Sequence, residues 1–294
     1  MKVKIMSKFG IDVSKWQGEF DFARAVKENK IEFVILRGAY AKGKDTKFES
    51  YYSKCKALNL PVGVYHYSMA TTKAAAKAEA EFLYANVLKG KKFELPIYID
   101  VEDKVQLALS KEALTEIVKT WCECLEQKGY FVGIYASLWT FQGELNDSEL
   151  TKYTHWVAQW AKECTYKGSF GMWQFGGEKN LIRSNQIAGQ TVDQNYMYED
   201  FPTLIKRAKL NEYGAANTSN TKDTLTPSRD TSQHDYKVRV TANVLNYRAG
   251  AGIQYKINGQ IKKNEVYTIV EEKYGWGKLK SGAGWINLKY TTKI

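Results

Sequence analysis

The chain has 294 residues, of which 44% are hydrophobic and 14% aromatic, and its formal net charge at pH 7 is +11. This length exceeds that of one ordinary domain, but it suits a barrel of roughly 200–250 residues followed by a small second module. No uninterrupted apolar run approaches the roughly 20 residues that a membrane helix needs, so the sequence predicts no membrane insertion.

The N-terminal residues predict a protein made without a cleavable leader. They read MKVKIMSKFG, and this basic start continues into a strand-like run without the apolar segment of a signal peptide. The cysteines agree with this: Cys122 and Cys124 lie in a helical pattern, with neither metal-site nor redox spacing. We therefore expect reduced, unpaired thiols and synthesis in a reducing host cytoplasm.

Short strand-like runs alternate with amphipathic stretches through the first two hundred residues. The runs read as strands are Phe9–Val13, Phe33–Tyr40, Val62–Tyr67, Ile97–Val101 and Phe131–Tyr135. Apolar residues at helical spacing predict helices between them, over Phe22–Lys30, Lys47–Leu58, Lys73–Leu88 and Lys111–Lys128. Repeated strand and helix imply a parallel sheet, and no glycine-rich phosphate turn follows the first strand, as it would in an open doubly wound sheet. The sequence therefore predicts an α/β fold with a (β/α) barrel.

The pattern becomes irregular in the last third of this region and then changes class. Predicted strands at His155–Trp160, Gly171–Phe175 and Gln190–Gln194 have little helix between them. Residues 209–235 are rich in Asn, Thr, Ser and Ala, a composition typical of a flexible linker. Short alternating strands follow and predict a small all-β barrel. We divide the chain into a barrel domain (residues 1–208), a linker (209–235) and a C-terminal domain (236–294).

The segment PIYIDVED, residues 96–103, carries the strongest chemical signal. Asp100 and Glu102 lie two positions apart at the end of a predicted strand, so their side chains project from one face. Hydrolysis of a glycosidic bond needs one protonated and one ionised carboxyl group, which two such neighbours can supply. A solvated acidic turn is the alternative for this segment taken alone.

Other predicted strand ends offer matching groups. Asp12 closes the first strand and Asp193 the last, and in a parallel barrel such residues converge at one rim. Aromatic side chains at strand ends are candidate platforms for sugar rings, although each could instead fill the core. These candidate substrate-binding residues are Tyr40, Tyr65, Tyr67, Tyr135, Trp160 and Trp173.

Several motifs in order resemble the family 25 glycoside hydrolases, the Chalaropsis-type lysozymes. They are FGIDVSKWQG, VILRGAYAKGKDTKF, PVGVYHYS, PIYIDVED, GIYAS, WVAQW, MWQF and VDQN, within roughly residues 8–207. The resemblance implies an irregular barrel of five β/α units followed by three strands. It also implies a retaining N-acetylmuramidase that cleaves the β-1,4 bond after N-acetylmuramic acid in peptidoglycan. Glu102 then matches the catalytic acid, and the other active-site carboxylates match Asp12, Asp100 and Asp193.

Physical reasoning assigns the roles only in part. Ionised neighbours raise the pKa of a carboxyl group, so Glu102 beside Asp100 should keep its proton and donate it to the leaving oxygen. Asp100 could attack the sugar directly, or it could orient the substrate's own N-acetyl group, which is the route we favour. No metal and no cofactor is predicted.

The C-terminal segment resembles the bacterial SH3-like domains that tether wall hydrolases to peptidoglycan. The resemblance is carried by Asn246-Tyr247-Arg248-Ala249-Gly250 and by Gly284-Trp285-Ile286. Residues 236–294 contain 11 Lys and Arg against three Asp and Glu, a net charge of +8 that favours an anionic wall. Binding of nucleic acid is disfavoured, because the aromatic residues follow strand patterns instead of forming a basic stacking track.

Two rival functions are a barrel that binds the wall without cleaving it and a metal-dependent polysaccharide hydrolase. Glu102 argues against the first, and the absence of paired histidines at ligand spacing argues against zinc, though not magnesium. Cytoplasmic synthesis of a wall-degrading enzyme requires later release, which favours a phage endolysin over a bacterial autolysin. The sequence gives no indication of the oligomeric state.

Overall fold

The computed structural model describes residues 7–214, 235–251, 255, 257–273 and 275–294. These residues belong to two compact units, Met1–Gly214 and Ala215–Ile294. The predicted linker falls outside the described residues between 215 and 234.

The first unit contains a closed barrel of eight strands with two short hairpins at its rim. The barrel strands are β1 (Lys8–Val13), β2 (Phe33–Tyr40), β4 (Val62–Tyr67), β5 (Ile97–Asp100), β6 (Val132–Ser137), β7 (Thr154–Ala158), β8 (Met172–Gly176) and β11 (Asp193–Met197). The hairpin strands are β3 (Gly43–Lys44), β9 (Gln186–Ile187) and β10 (Gln190–Thr191). Strands β1 to β8 of the barrel pair in parallel, whereas β11 is antiparallel to both β8 and β1 and closes the barrel between them. The mixed α/β barrel predicted from the sequence is confirmed.

Helical segments follow the first five barrel strands. The α-helices are α1 (Phe22–Arg24), α2 (Phe48–Ala57), α3 (Lys73–Leu83), α4 (Lys104–Leu107), α5 (Lys111–Glu126), α6 (Asp147–Leu150) and α7 (Phe201–Arg207). Turns of π-helix cover Ala25–Asn29, Tyr84–Leu88 and Thr140–Glu144, and a 3₁₀ turn covers Lys15–Gln17. Side chains cap the two long helices α3 and α5, since Thr72 accepts from the amide of Ala75 and Ser110 from that of Ala113.

The last barrel strand differs from its prediction. The sequence suggested a strand at Gln190–Gln194, but Gln190–Thr191 is one arm of a surface hairpin and the barrel strand begins at Asp193. An antiparallel strand starts at the end where its parallel neighbours finish. Asp193 therefore reaches the predicted rim as the first residue of β11 and not as the last residue of its strand.

The strands carry two layers of side chains. Small and branched apolar residues such as Ile11, Leu36 and Ile99 are buried in the layer beneath the helices. Alternate positions point into the barrel and hold larger polar and aromatic groups. There, Trp156 contacts the ring of Tyr135 at a centroid distance of 4.5 Å and that of Tyr98 at 5.1 Å.

Residues 209–214, predicted as the start of the linker, pack on the barrel instead. The fully buried side chain of Asn211 donates hydrogen bonds to the carbonyls of Phe93 (3.1 Å) and Leu95 (3.0 Å) and accepts one from the amide of Phe131 (2.8 Å). Composition alone could not reveal this, because a single amide supplies the partners for three backbone groups.

The second unit is all-β within its described residues. Its strands are β12 (Tyr236–Val240), β13 (Val244–Arg248), β14 (Ile257–Lys262), β15 (Val266–Lys273), β16 (Trp276–Leu279), β17 (Trp285–Asn287) and β18 (Thr291–Lys293). They form an antiparallel sheet in the order β14-β13-β17-β16-β15-β12-β18 around a small core that includes Val240, Ile269 and Ile286.

All four cysteines are free thiols, as predicted, and three of them are buried. Within the described parts of the chain, no helix is both long enough and apolar enough to cross a membrane.

Candidate active site

Four carboxylates converge at the end of the barrel where the parallel strands finish. Asp12 is near the end of β1, Asp100 is the last residue of β5, and Glu102 follows it by two positions. Asp12 lies directly opposite Asp193 in the pairing of β1 with β11. The structure thus brings together all four carboxylates selected from the sequence.

Burial raises the pKa of each carboxyl group in this cluster, and repulsion by neighbouring carboxylates adds to it for Asp100, Glu102 and Asp193. Asp100 is 3% exposed, and burial, followed by the charges of Glu102 and Asp12, raises its pKa well above the ordinary value. Burial, then Asp12 and Glu102, raise the pKa of Asp193 to about 8. Although the side chain of Glu102 reaches solvent, desolvation by the surrounding protein, then Asp12 and Asp103, also raise its pKa. The cluster therefore holds protons at neutral pH that isolated carboxylates would have lost.

Asp12 has specific hydrogen-bond donors that oppose its burial. Its Oδ2 accepts from Nδ2 of Asn195 at 2.7 Å and from Nε2 of Gln174 at 3.1 Å. Burial raises the pKa of Asp12 to about 6, and these two bonds act in the opposite direction because they stabilise the ionised form. Asn195 is oriented in turn by the indole of Trp156, whose Nε1 donates to its Oδ1 at 2.8 Å.

Gln174 links Asp12 to two aromatic residues. Its Oε1 accepts hydrogen bonds from the hydroxyl of Tyr135 and from Nε1 of Trp160, both at 3.1 Å. One buried amide thus fixes the carboxylate of Asp12 and the ring of Trp160, which is 41% exposed at the rim, relative to each other. Asn195 was not selected from the sequence, although it shares a strand face with Asp193 two residues before it.

A second buried network lies on the side of β2. Nε of Arg37 donates to Asp45 Oδ2 at 2.8 Å, and the charge of Arg37 lowers the pKa of Asp100. The hydroxyl of Tyr67 donates to Asp103 Oδ2 at 3.0 Å. Asp100 Oδ1 is buried and has no hydrogen-bond partner within the described residues, so it can accept a bond from a ligand.

The structure places most of the predicted aromatic residues near this cluster. Tyr65 is partly buried beside it, and the charges of Asp12 and Asp100 act on its hydroxyl. Tyr135 lies opposite Asp100 between β5 and β6, as Tyr67 does between β4 and β5. The rings of Tyr40 and Tyr67 stack with centroids 4.9 Å apart.

Trp173 is not part of the site. It precedes Gln174 in β8 and so points to the opposite face, where it is 5% exposed and packs against Phe175 and Tyr196. Two aromatic side chains that sequence reasoning missed are instead exposed in segments after strand ends: Trp16 is 77% exposed after β1, and Trp139 is 60% exposed after β6. Their position directly after strands was the available signal.

His66 has structural partners on both ring nitrogens. His66 is fully buried and faces away from the neighbouring tyrosines as expected, since it accepts a hydrogen bond at Nδ1 from the indole of Trp121 and pairs with the carbonyl of Ala41. Within the ranges that the structure describes, no group of three or more His, Cys, Asp or Glu side chains is arranged to hold a metal ion.

Comparison with known proteins gives a consistent result. The model of the family described as Glycosyl hydrolases family 25 matches residues 11–182. Lysozyme M1 of Streptomyces globisporus is 25% identical over 198 residues, which is 63% of this chain and 66% of the lysozyme.

Two solved structures share the fold. The modular autolysin LytC of Streptococcus pneumoniae, solved in complex with a synthetic peptidoglycan ligand, has a TM-score of 0.57 at 24% identity over 66% of this chain and 47% of the autolysin. The CTP1L endolysin has a TM-score of 0.57 at 20% identity, covering 68% of this chain and 70% of the endolysin. The chain thus spans just under two thirds of the curated lysozyme and about half of the autolysin.

Proposed function

The chain belongs to the glycosyl hydrolases family 25, and on this premise we propose that it is an N-acetylmuramidase. It would hydrolyse the β-1,4 bond between N-acetylmuramic acid and N-acetylglucosamine in bacterial peptidoglycan. The observation that carries the proposal is the cluster of Asp12, Asp100, Glu102 and Asp193 with raised pKa values at the rim of the barrel. Such a cluster can hold one carboxyl group protonated beside an ionised one, as glycoside hydrolysis requires.

Glu102 is the general acid in this proposal. It is the most exposed member of the cluster, so it can meet the glycosidic oxygen of a bound polymer. Its raised pKa favours the protonated form that a general acid needs, and after donation the same carboxylate can activate the water that completes hydrolysis.

Asp100 orients the acetamido group of the substrate, which attacks the anomeric carbon from within the sugar. The unpartnered Oδ1 supports this role, since it can accept the acetamido N–H and stabilise the charge that develops on the group. Configuration is then retained, because water displaces the internal nucleophile from the opposite face. Direct attack by Asp100 would also retain configuration, but it would form a covalent sugar–enzyme ester.

The remaining side chains stabilise charge and bind the sugar. Asp12, held by two amide donors, and Asp193 surround the oxocarbenium-like centre with negative potential. Trp160 offers an exposed indole that Gln174 fixes in place, and Tyr135 and Tyr65 line the space beneath the reacting ring.

The decisive experiment is Glu102→Gln assayed on purified cell walls. We expect the folded variant to lose at least 99% of wild-type turnover, because Gln keeps the shape of the side chain but carries no acidic proton. Retention of a tenth or more of wild-type turnover would exclude Glu102 as the acid. Unfolding curves of the two proteins provide the control for structure.

Analysis of the products tests the bond that is cleaved. Muramic acid at the new reducing ends is expected from defined peptidoglycan, whereas glucosamine there would identify a glucosaminidase. New amino groups without new reducing ends would identify an amidase or peptidase. Full activity in excess EDTA is expected, and its loss would favour the metal-dependent alternative.

The two routes for Asp100 differ in the intermediate. A thiazoline that mimics the cyclised acetamido group should inhibit the enzyme if the substrate supplies the nucleophile. A fluorinated substrate analogue should instead leave a covalent sugar on Asp100, detectable by mass spectrometry, if the aspartate attacks directly.

We further propose that the C-terminal unit is an SH3-like domain that binds the wall, and that the enzyme reaches its substrate as a released endolysin. The all-β sheet of this unit and its net charge of +8 over residues 236–294 support binding to an anionic polymer. Equal retention on wall sacculi of the full-length protein and of residues 1–214 would contradict the tether. Fractionation of host cells before and after lysis tests the location. We expect the protein in the cytoplasmic fraction before lysis and its release only when the host lyses.

A further inference from the structure

A cavity of about 540 Å³ lies on the β2 side of the carboxylate cluster. Tyr67 forms part of its wall and lies opposite Asp100 in the pairing of β4 with β5. A polymer bound across Asp100 therefore has a second space available within one strand spacing of the reacting centre. No role in the proposed reaction uses this space.

Aromatic rings form one part of the lining. The indole of Trp16, which is 77% exposed, is the most exposed of the large hydrophobic side chains described, and the stacked rings of Tyr40 and Tyr67 stand in the same cavity. The capping box that holds the 3₁₀ turn after β1 fixes the backbone beneath Trp16, since Ser14 and Gln17 bond each other's amides. An indole held in water on a rigid turn is suited to contact a ligand.

Cations form the rest of the lining. Lys15 is exposed, its Nζ lies 5.3 Å from the ring centroid of Trp16, and no acidic side chain pairs with it among the described residues. Lys44 contacts Glu49 at 2.5 Å, but Glu49 also pairs with Lys91 at 3.1 Å, so two ammonium groups share one carboxylate.

The one acidic residue of the cavity wall is already neutralised. Asp45 accepts from Arg37 at 2.8 Å, and its oxygens also accept from the amides of Lys15 (3.0 Å) and Lys47 (2.9 Å). Its charge is therefore compensated, and the cavity presents a net positive field directly beside the carboxyl cluster.

We propose that this cavity binds an acidic peptide substituent of the glycan, with a carboxylate of the peptide on Lys15 and its apolar side chains on Trp16. This inference rests on the proposed function, because it assumes a glycan that carries such peptides. Binding of a neutral sugar would require the aromatic rings of the cavity but not the unpaired ammonium group of Lys15. A carboxylate-bearing chain, in contrast, is repelled by the ionised members of the carboxyl cluster and gains a favourable position only on the cationic side. The cavity thus orients the substituted sugar relative to Asp100.

The test measures binding to the full-length Glu102→Gln protein, in which cleavage is blocked. The probes are a peptidoglycan tetrasaccharide–peptide with free carboxylates and the same fragment after conversion of those carboxylates to amides. Adding Lys15→Glu should weaken binding of the acidic fragment about tenfold and that of the amidated fragment less than twofold, because a like charge now faces the ligand. Lys15→Arg, which keeps the positive charge, should bind the acidic fragment as tightly as the Glu102→Gln parent does. Trp16→Ala should weaken binding of both fragments alike.

The control is Lys27→Glu, which makes the same charge change at an exposed position after α1 and should alter neither affinity. Equal loss for both fragments, or no loss for the acidic one, would overturn the inference, as would failure of the parent protein to bind either fragment. The proposed function fails separately, if the wild-type protein releases no reducing ends from the acidic fragment that it binds.

Discussion

Proton affinity in the active site is set by neighbours as well as by burial, and Glu102 shows this most clearly. Desolvation is the largest cause of its raised pKa, and the charges of Asp12 and Asp103 add to it. Asp103 contributes without occupying the centre of the site, since its carboxylate caps helix α4 through the amide of Val105 at 2.9 Å. An asparagine here keeps one oxygen for the cap, and its amide nitrogen can donate to the Tyr67 hydroxyl that now donates to Oδ2, so the charge can be removed with little change in structure.

Asp103→Asn is expected to shift the alkaline limb of the pH profile to lower pH. Asparagine is as good a helix cap as aspartate, but it brings no negative charge toward Glu102. The pKa of Glu102 should then fall, so the proton needed for catalysis is lost at lower pH, by a fraction of a unit. The measurement is kcat/KM on soluble glycan fragments from pH 4 to pH 9.

Asp21→Asn is the matched control, because Asp21 caps helix α1 in the same way through the amide of Arg24 at 2.9 Å. It should leave the profile unchanged. A limb that stays in place in Asp103→Asn, or moves to higher pH, would contradict an electrostatic role for Asp103.

Asp193 should make the fold less stable as pH rises. Its folded-state pKa of about 8 lies above the ordinary aspartate pKa of 3.8, so the native state binds its proton more tightly than the unfolded chain. The stability contributed by this proton is complete below pH 4 and is lost as pH rises toward 8. Asp193→Asn should therefore be more stable than the wild type, by a margin that grows between these pH values.

Urea unfolding of both proteins at several pH values measures this margin. The exposed Glu112→Gln on α5 controls for removal of a charge as such. A margin that is constant or that shrinks with rising pH would show that the buried carboxylate costs no stability. The expected loss of activity in the same variant would place Asp193 among residues that favour function over stability.

At the scale of elements, the parallel strands of the barrel could be predicted from the sequence. The antiparallel strand β11, which closes the barrel, could not. Alternating strand and helix patterns located β1, β2, β4, β5 and β6, and the rule that parallel strands end at one rim brought Asp12 and Asp100 together correctly. No local sequence pattern indicates that β11 runs antiparallel to its neighbours. Asp193 was therefore assigned to the rim correctly, but with the wrong strand boundaries. Trp173 was misplaced for a related reason, since one residue of register separates the barrel interior from the outer layer.

The hydrogen bonds made by the side-chain amide of Gln174 could also not be predicted from the sequence. Gln174 joins Asp12, Tyr135 and Trp160, which come from three strands or their ends and are far apart in the chain. Nothing in the spacing of these residues indicates a shared partner. Such contacts follow from tertiary packing and not from periodicity.

The turn after β8 offers a test of how closely this packing controls the site. A methyl group at Gly177 would stand 2.0 Å from Asp193 Oδ1 and 2.9 Å from the ring of Trp160. Gly177→Ala should therefore displace one of these side chains and lower kcat/KM by roughly a hundredfold, since displacements of about 1 Å in an active site have effects of that size. Gly143→Ala is the control, because no atom lies within 4 Å of the position that its methyl group would take. Equal activity of the two variants would show that the site tolerates the displacement.

At the scale of the whole molecule, charge and chemistry lie in different units. The barrel carries the carboxylate cluster, and the C-terminal residues carry most of the net positive charge. A basic unit is attracted to an anionic wall, whereas the acidic site alone would be repelled by it. Tethering would therefore raise the local concentration of substrate at a site that electrostatics disfavours.

Separation of the two units depends on where the chain is cut. A protein that ends at residue 208 lacks Asn211, so the carbonyls of Phe93 and Leu95 and the amide of Phe131 lose their buried partner. Each such group costs about 1–3 kcal/mol when it is left unsatisfied, so this truncation should unfold several degrees below one that ends at Gly214. Thermal unfolding of the two truncations measures the difference, and Asn211→Ala in the longer one should reproduce most of it. Equal melting temperatures would mean that residues 209–214 belong to the linker, as their composition suggests, and that the barrel is complete without them.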